Sequence, residues 1–148
     1  MGSRNGLHKG QLVAAVLAGS WRSSDYPQLE IAEAELDEIT PLLSKSGAAA
    51  LAWRRIRGTP LAGSAPAEVL LHTYRHQSLK SALHEQHVER IFGICRKAQI
   101  DALLVKGWAA AILYEQNDLR PAGDIDLFVR PEHFEKMRAA FMSTEATS

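Results

Sequence analysis

Apolar residues recur at three- and four-residue spacing up to about Lys97, then switch to short unbroken runs. A period near 3.6 marks a helix packed on one face, and a short continuous run bounded by turn residues marks a buried strand. Leu12 to Ala18 predicts a short helix. Between Gln28 and Thr40, Leu29, Ile31, Leu36 and Ile39 alternate with Glu30, Glu33, Glu35, Asp37 and Glu38, which predicts a surface helix with a solvated acidic side. Pro41 is expected to restart the chain, because proline is comfortable only in a first helical turn. Gly47 to Arg57 then predicts a helix stopped by Gly58, and Thr59 to Pro66, with two prolines and Gly63, a connector.

The largest apolar stripe follows. Leu70, Leu71, Tyr74, Leu83, Val88, Ile91, Phe92 and Cys95 predict one long helix, or two abutting ones, through Lys97. Beyond Ala98, Ile100 to Val105 reads as a strand, Lys106-Gly107 as a tight turn, Trp108 to Tyr114 as a helix and Ile125 to Val129 as a second strand. Pro131 opens a last helix with Phe134, Met137 and Phe141 on one face. The order predicts an α/β (α+β) fold, with a helical region over 1–98 and a short mixed sheet within 99–148.

Composition narrows the function classes. Lys plus Arg number 17 and Asp plus Glu 17, so no global field draws the chain to nucleic acid or an anionic membrane. The apolar run Leu12 to Ala18 is far short of the roughly 20 residues that span a bilayer. It reads better as a cytosolic helix than as a secretory leader. A single cysteine, Cys95, permits neither an internal disulfide nor a cysteine-based metal cluster, and a reducing cytoplasm is the expected compartment.

The candidate chemistry lies in Arg120-Pro-Ala-Gly-Asp124-Ile-Asp126-Leu-Phe-Val. On an extended strand Asp124 and Asp126 share one face while Ile125, Leu127 and Val129 take the other. Two carboxylates held this close repel unless a cation lies between them, and magnesium, which takes one or two carboxylates plus phosphate oxygens, is the expected occupant. Taken alone, Asp-x-Asp reads more simply as a solvated strand edge. Gly107 changes that balance: it stands where a predicted strand turns into a helix, and a residue without Cβ leaves backbone N–H groups open to phosphate.

Lys106-Gly107-x-Ala-x-x-x-x-Tyr114, then Arg120 and Gly-Asp-Ile-Asp-Leu-Phe-Val, resembles the signature of the uncharacterised nucleotidyltransferase family within the DNA polymerase beta superfamily. The likeness runs over roughly Leu42 to Phe141. It implies that 99–148 is a nucleotidyltransferase core, that Gly107 contacts a nucleoside triphosphate, and that Asp124 and Asp126 hold Mg2+ and serve catalysis. It also implies transfer of a nucleoside monophosphate to an acceptor hydroxyl, on a small molecule or a protein. Two departures stand out. Trp108 follows the glycine where the superfamily places glycine or serine, and no later strand supplies the superfamily's third acidic residue. Glu132, Glu135 and Glu145 are poor substitutes for it. The expectation is a truncated core that folds only in part and whose own turnover is weak or absent.

Lys106 and Arg120 are candidate phosphate ligands, though a lysine closing a strand often only reaches for solvent, and Arg120 could as well pair with Asp118 or Asp124. His72 with His76, and His84 with His87, have near-helical spacing, but His84-Glu-Gln-His87 is one residue short of the zinc-protease motif, so these read as surface or packing residues. Trp21, Trp53 and Trp108 read as core or interhelical anchors. The rival functions are a non-catalytic nucleotide-binding module and a helical protein-interaction module.

Overall fold

The computed structural model describes residues 2–20, 28–121 and 123–145. Six helices and two strands are seen there: α1 (Gly2–Leu17), α2 (Glu33–Lys45), α3 (Ala49–Ile56), α4 (Ala65–Lys97), β1 (Ala102–Val105), α5 (Lys106–Ala111), β2 (Asp126–Val129) and α6 (Phe134–Glu145). The fold is α+β and mostly helical. β1 and β2 pair antiparallel, which corrects the expectation of a mixed sheet. Strands this short carry no sequence signal for their relative direction. Trp21 and residues 146–148 lie outside the described residues, and Met142 to Glu145 belong to α6.

The core lies at one end, where α1 (Leu12, Val16), α2 (Leu36, Ile39, Leu43), α3 (Ala49, Ala52, Ile56) and the start of α4 (Ala67, Leu70) bury their apolar faces together. Leu29 and Ile31 pack on this core from an extended approach, so α2 begins later than its periodicity suggests. Glu35 fixes that start by accepting a hydrogen bond from the Ala32 N–H at 2.9 Å, and the carboxylates of Glu33 and Glu35 suit the positive helix end.

Pro41 does not restart the chain; it lies inside α2. An interior proline costs about 3 kcal/mol. Leu36, Ile39 and Leu43 are fully buried on the opposite face, and each contributes about 1.5–3 kcal/mol by leaving water. Both Asp37, whose carbonyl loses its partner, and Pro41 are exposed, so solvent can satisfy the freed group.

α2 ends in a Schellman turn. The Ala48 N–H donates to the Leu43 carbonyl at 2.9 Å and the Gly47 N–H to that of Ser44 at 3.3 Å, with Gly47 at φ +78°. A Cβ at Gly47 would lie 2.8 Å from Cγ of Pro121, so this turn also sets the approach to the acidic segment. Thr59 to Pro66 is partly ordered: Pro60–Gly63 forms a 3-10 turn, and Pro66 belongs to the first turn of α4, where its missing N–H has no intrahelical role.

α4 is one continuous helix of 33 residues, about 50 Å at 1.5 Å per residue. Its beginning is anchored in the core, whereas Leu83 of the apolar stripe is exposed farther along, as is Leu79. Its end repeats the Schellman geometry with Gln99 at φ 51° in the glycine position: Ile100 donates to Cys95 at 2.9 Å and Gln99 to Arg96 at 3.0 Å. Ile100 and Cys95 are both buried, which closes the corner into β1. On α6, Met137 and Phe141 are half-buried, but Phe134, expected on the same face, is exposed.

Two substitutions test these corners with opposite signs. Gly47→Ala adds a side chain to a left-handed residue and drives it against Pro121, so urea unfolding should show a loss of about 2 kcal/mol or more. Gln99→Gly relieves the same backbone conformation where a side chain is already present, and should raise stability by about 1 kcal/mol.

Candidate active site

β1 delivers Val105 directly opposite Asp126 of β2, so the strand pair brings the end of one run against the start of the other. The chain turns at once into α5, with Lys106 at φ 56°, a left-handed conformation that costs a residue with a side chain of the order of 1 kcal/mol. Gly107 itself has no such angle, so the strained residue of this corner is the lysine. The Lys106 ammonium reaches back across the ladder to Asp126, Nζ to Oδ1 at 3.1 Å.

Arg120 approaches the same corner from the segment after the Asn117–Leu119 turn. Its guanidinium donates to the Gly107 carbonyl rather than to Asp118 or Asp124. The Asp124 carbonyl lies 3.9 Å, and Arg120 Nη1 3.8 Å, from where a Gly107 Cβ would stand. Those are ordinary contacts, so Gly107 is not required for packing. Lys106, Gly107, Arg120, Asp124 and Asp126 therefore border one corner.

β2 begins at Asp126, so Asp124 and Ile125 precede the strand. Leu127 and Val129, opposite Leu104 and Ala102, are half-buried. The face of Asp126 also carries Phe128 and Leu103, paired across the ladder and 66% and 62% exposed, so it is apolar beyond the acid. Asp126 and Asp124 are both solvent-accessible, as a cation shared with a bound phosphate needs. Two carboxylates match the donor set that magnesium takes from protein when phosphate oxygens complete its shell. Among the described residues no group of three or more His, Cys, Asp or Glu gathers to hold a metal unaided.

His84 is the residue that sequence reasoning set aside. His72, His76 and His87 are exposed on α4, but His84 lays its ring on Trp108, centroids 4.9 Å apart. Trp108, 7% exposed, is the anchor expected of it, and it directly follows Gly107. His84 Nε2 is buried without a hydrogen-bond partner among the described residues. Burial holds the His84 pKa below its ordinary 6.5 and the nearby His87 adds to this, while the Asp124 carboxylate opposes both. The acidic segment is thus within electrostatic reach of α4. Spacing on the helix could not reveal this contact, because the partner ring comes from a distant part of the chain.

Residues 32–147 match the model of the uncharacterised nucleotidyltransferase family, and the chain belongs to that family. The match takes in α2 to α6 and every residue of the corner. No curated protein and no solved structure shows a significant match. Among the described residues no helix is long and apolar enough to cross a membrane.

The His84 environment has a measurable consequence. A folded-state pKa below the unfolded value means that the native chain binds fewer protons than the unfolded one in the window between them, so stability rises with pH there. The contribution is complete above about 6.5 and is lost as pH falls through the depressed value. Urea unfolding at pH 7 and pH 5 should show a smaller acid-induced loss in His84→Gln than in the parent chain.

Proposed function

We propose that the corner formed by Lys106-Gly107, Arg120, Asp124 and Asp126 binds a magnesium–nucleoside triphosphate and transfers its nucleoside monophosphate to an acceptor hydroxyl. The observation that carries this reading is the meeting of both acids, the glycine and two cations at one solvent-accessible corner of a nucleotidyltransferase-family chain.

Phosphoryl-group transfer asks little covalent chemistry of a protein; alignment and charge neutralisation supply most of the rate. The acceptor oxygen bonds to the α-phosphorus and the bond from that phosphorus to the bridging oxygen of the β-phosphate breaks. Pyrophosphate leaves with the electron pair, and the hydroxyl proton passes to solvent. Asp124 and Asp126 hold the cation, which when bound neutralises charge on the phosphates. Gly107 presents no side chain toward the approaching triphosphate. Arg120, tied by its bond to the Gly107 carbonyl, keeps that turn in place and contributes positive charge beside it. The Lys106 ammonium, which pairs with Asp126 across the ladder, would supply positive charge to phosphate oxygens at the corner.

Calorimetric titration with each nucleoside triphosphate, with and without magnesium, tests the reading. Binding should require magnesium, and Asp124→Asn and Asp126→Asn should each weaken it at least tenfold. Thermal stability should change little, since the exposed Lys106–Asp126 pair is worth about 0–1 kcal/mol. Gly107→Ala should leave stability intact, because the added methyl meets only ordinary contacts, yet lower nucleotide affinity. Unchanged nucleotide affinity in both Asn variants would leave the acids without a role and favour a helical interaction module.

A further inference from the structure

A recess opens between α4 and the Asn117–Leu119 turn, with a volume of about 330 Å³. That is the lower end of the range for small-molecule sites, enough for a ligand of monosaccharide size. Its walls are polar in a particular way. Ser78, Ser81 and Glu85 come from successive turns of one face of α4, and Gln116, Asn117 and Asp118 from the facing turn. Two hydroxyls, two amides and two carboxylates are present, and among the described residues no Lys, Arg or His lines the space.

Asp118 is held rather than loose. Its Oδ2 accepts from the Ser78 hydroxyl at 2.7 Å, and its carbonyl accepts from the Gln77 amide at 2.6 Å. Oδ1 is buried and finds no hydrogen bond among the described residues. Burial first, and then the charge of the Asp118 carboxylate and a hydrogen bond to it, raise the Tyr74 pKa, so Tyr74 stays a neutral donor beside Asp118. Among the described residues no cation lining the recess faces Glu85 or Asp118, and a charge-assisted bond from an ammonium is the strongest hydrogen bond a carboxylate can gain.

The recess also adjoins the corner described above. Glu85 follows His84, whose ring packs on Trp108, the residue after Gly107, and Asp118 lies two residues before Arg120, which bonds to Gly107. Resting on the nucleotidyl-transfer reading, we propose that this recess is the acceptor subsite and that the acceptor is a small hydroxylated amine. Its ammonium lies between Glu85 and Asp118, the serines and amides hold its hydroxyls, and the hydroxyl nearest His84 faces the nucleotide.

The test uses the full chain with glucosamine and ethanolamine as probes, and glucose and ethylene glycol as their amine-free counterparts. Calorimetry should show both amines binding at least tenfold more tightly than their neutral twins, without any requirement for magnesium or nucleotide. Glu85→Gln, at an exposed position, should abolish that preference while leaving triphosphate affinity unchanged; Asp118→Asn should do the same, with circular dichroism checking its fold. With magnesium and a triphosphate present, mass spectrometry should find a nucleotidylated amine, and Glu85→Gln should raise the acceptor KM at least tenfold with the triphosphate KM unaltered.

Equal binding of amine and neutral twin, no amine binding, or a preference that survives Glu85→Gln would overturn the ligand class, whatever the chain does with nucleotide. Amine binding that depends on Glu85, without magnesium-dependent binding of any triphosphate, would instead overturn the nucleotidyl reading and with it the recess's role as an acceptor site.

Discussion

The molecule depends on one long helix being anchored at its start. Pro66, Ala67 and Leu70 of α4 are buried against α2 and α3, and that contact fixes the direction of everything the helix carries afterwards. Farther along, the same helix presents Ser78, Ser81, His84 and Glu85 to the elements that follow it in sequence, and at its end the buried Cys95 and Ile100 aim β1. A helix can serve as such a beam because its backbone bonds are satisfied internally, so its middle needs little burial to persist once its ends are fixed. Exposed Leu79 and Leu83 show how little this middle has.

Two left-handed corners complete the frame. Gly47 and Gln99 close α2 and α4 by the same pair of backbone bonds, and the first of them presses on Pro121, just upstream of the acids. Core and corner are therefore coupled through backbone geometry as well as through side-chain packing. The coupling explains why a candidate site with modest burial of its own has a defined arrangement: Lys106, Arg120 and Asp126 are tied by specific hydrogen bonds between segments whose directions are set elsewhere.

Much of this was legible before any coordinates. The helical period from Leu70 to Cys95 is long enough to average out exceptions, and α4 has the extent it implies. The short apolar runs at Ile100 and Ile125 locate both strands to within two residues. What failed to show were effects that depend on distant partners. Pro41 reads as a break because the rule is local, whereas the burial of Leu36, Ile39 and Leu43 that overrides it is tertiary. Gln99 carries no mark of a left-handed residue, since glycine or asparagine is the usual sign. The direction of strand pairing, the stacking of His84 on Trp108 and the bond from Arg120 to Gly107 all join segments whose spacing along the chain says nothing about contact. The acids, the glycine and the two basic residues were singled out from the sequence; how they touch one another was not.

The pairing of Lys106 with Asp126 has a consequence for any charged visitor. With two carboxylates and two basic side chains the corner is close to electroneutral by itself, so a cation would not meet a ready negative well but would exchange with an ammonium 3.1 Å from the Asp126 oxygen. An anion arriving with that cation gives the displaced ammonium somewhere to go. On the proposed reading each species would make room for the other, so that a metal and its polyanion would be taken up as a joint event.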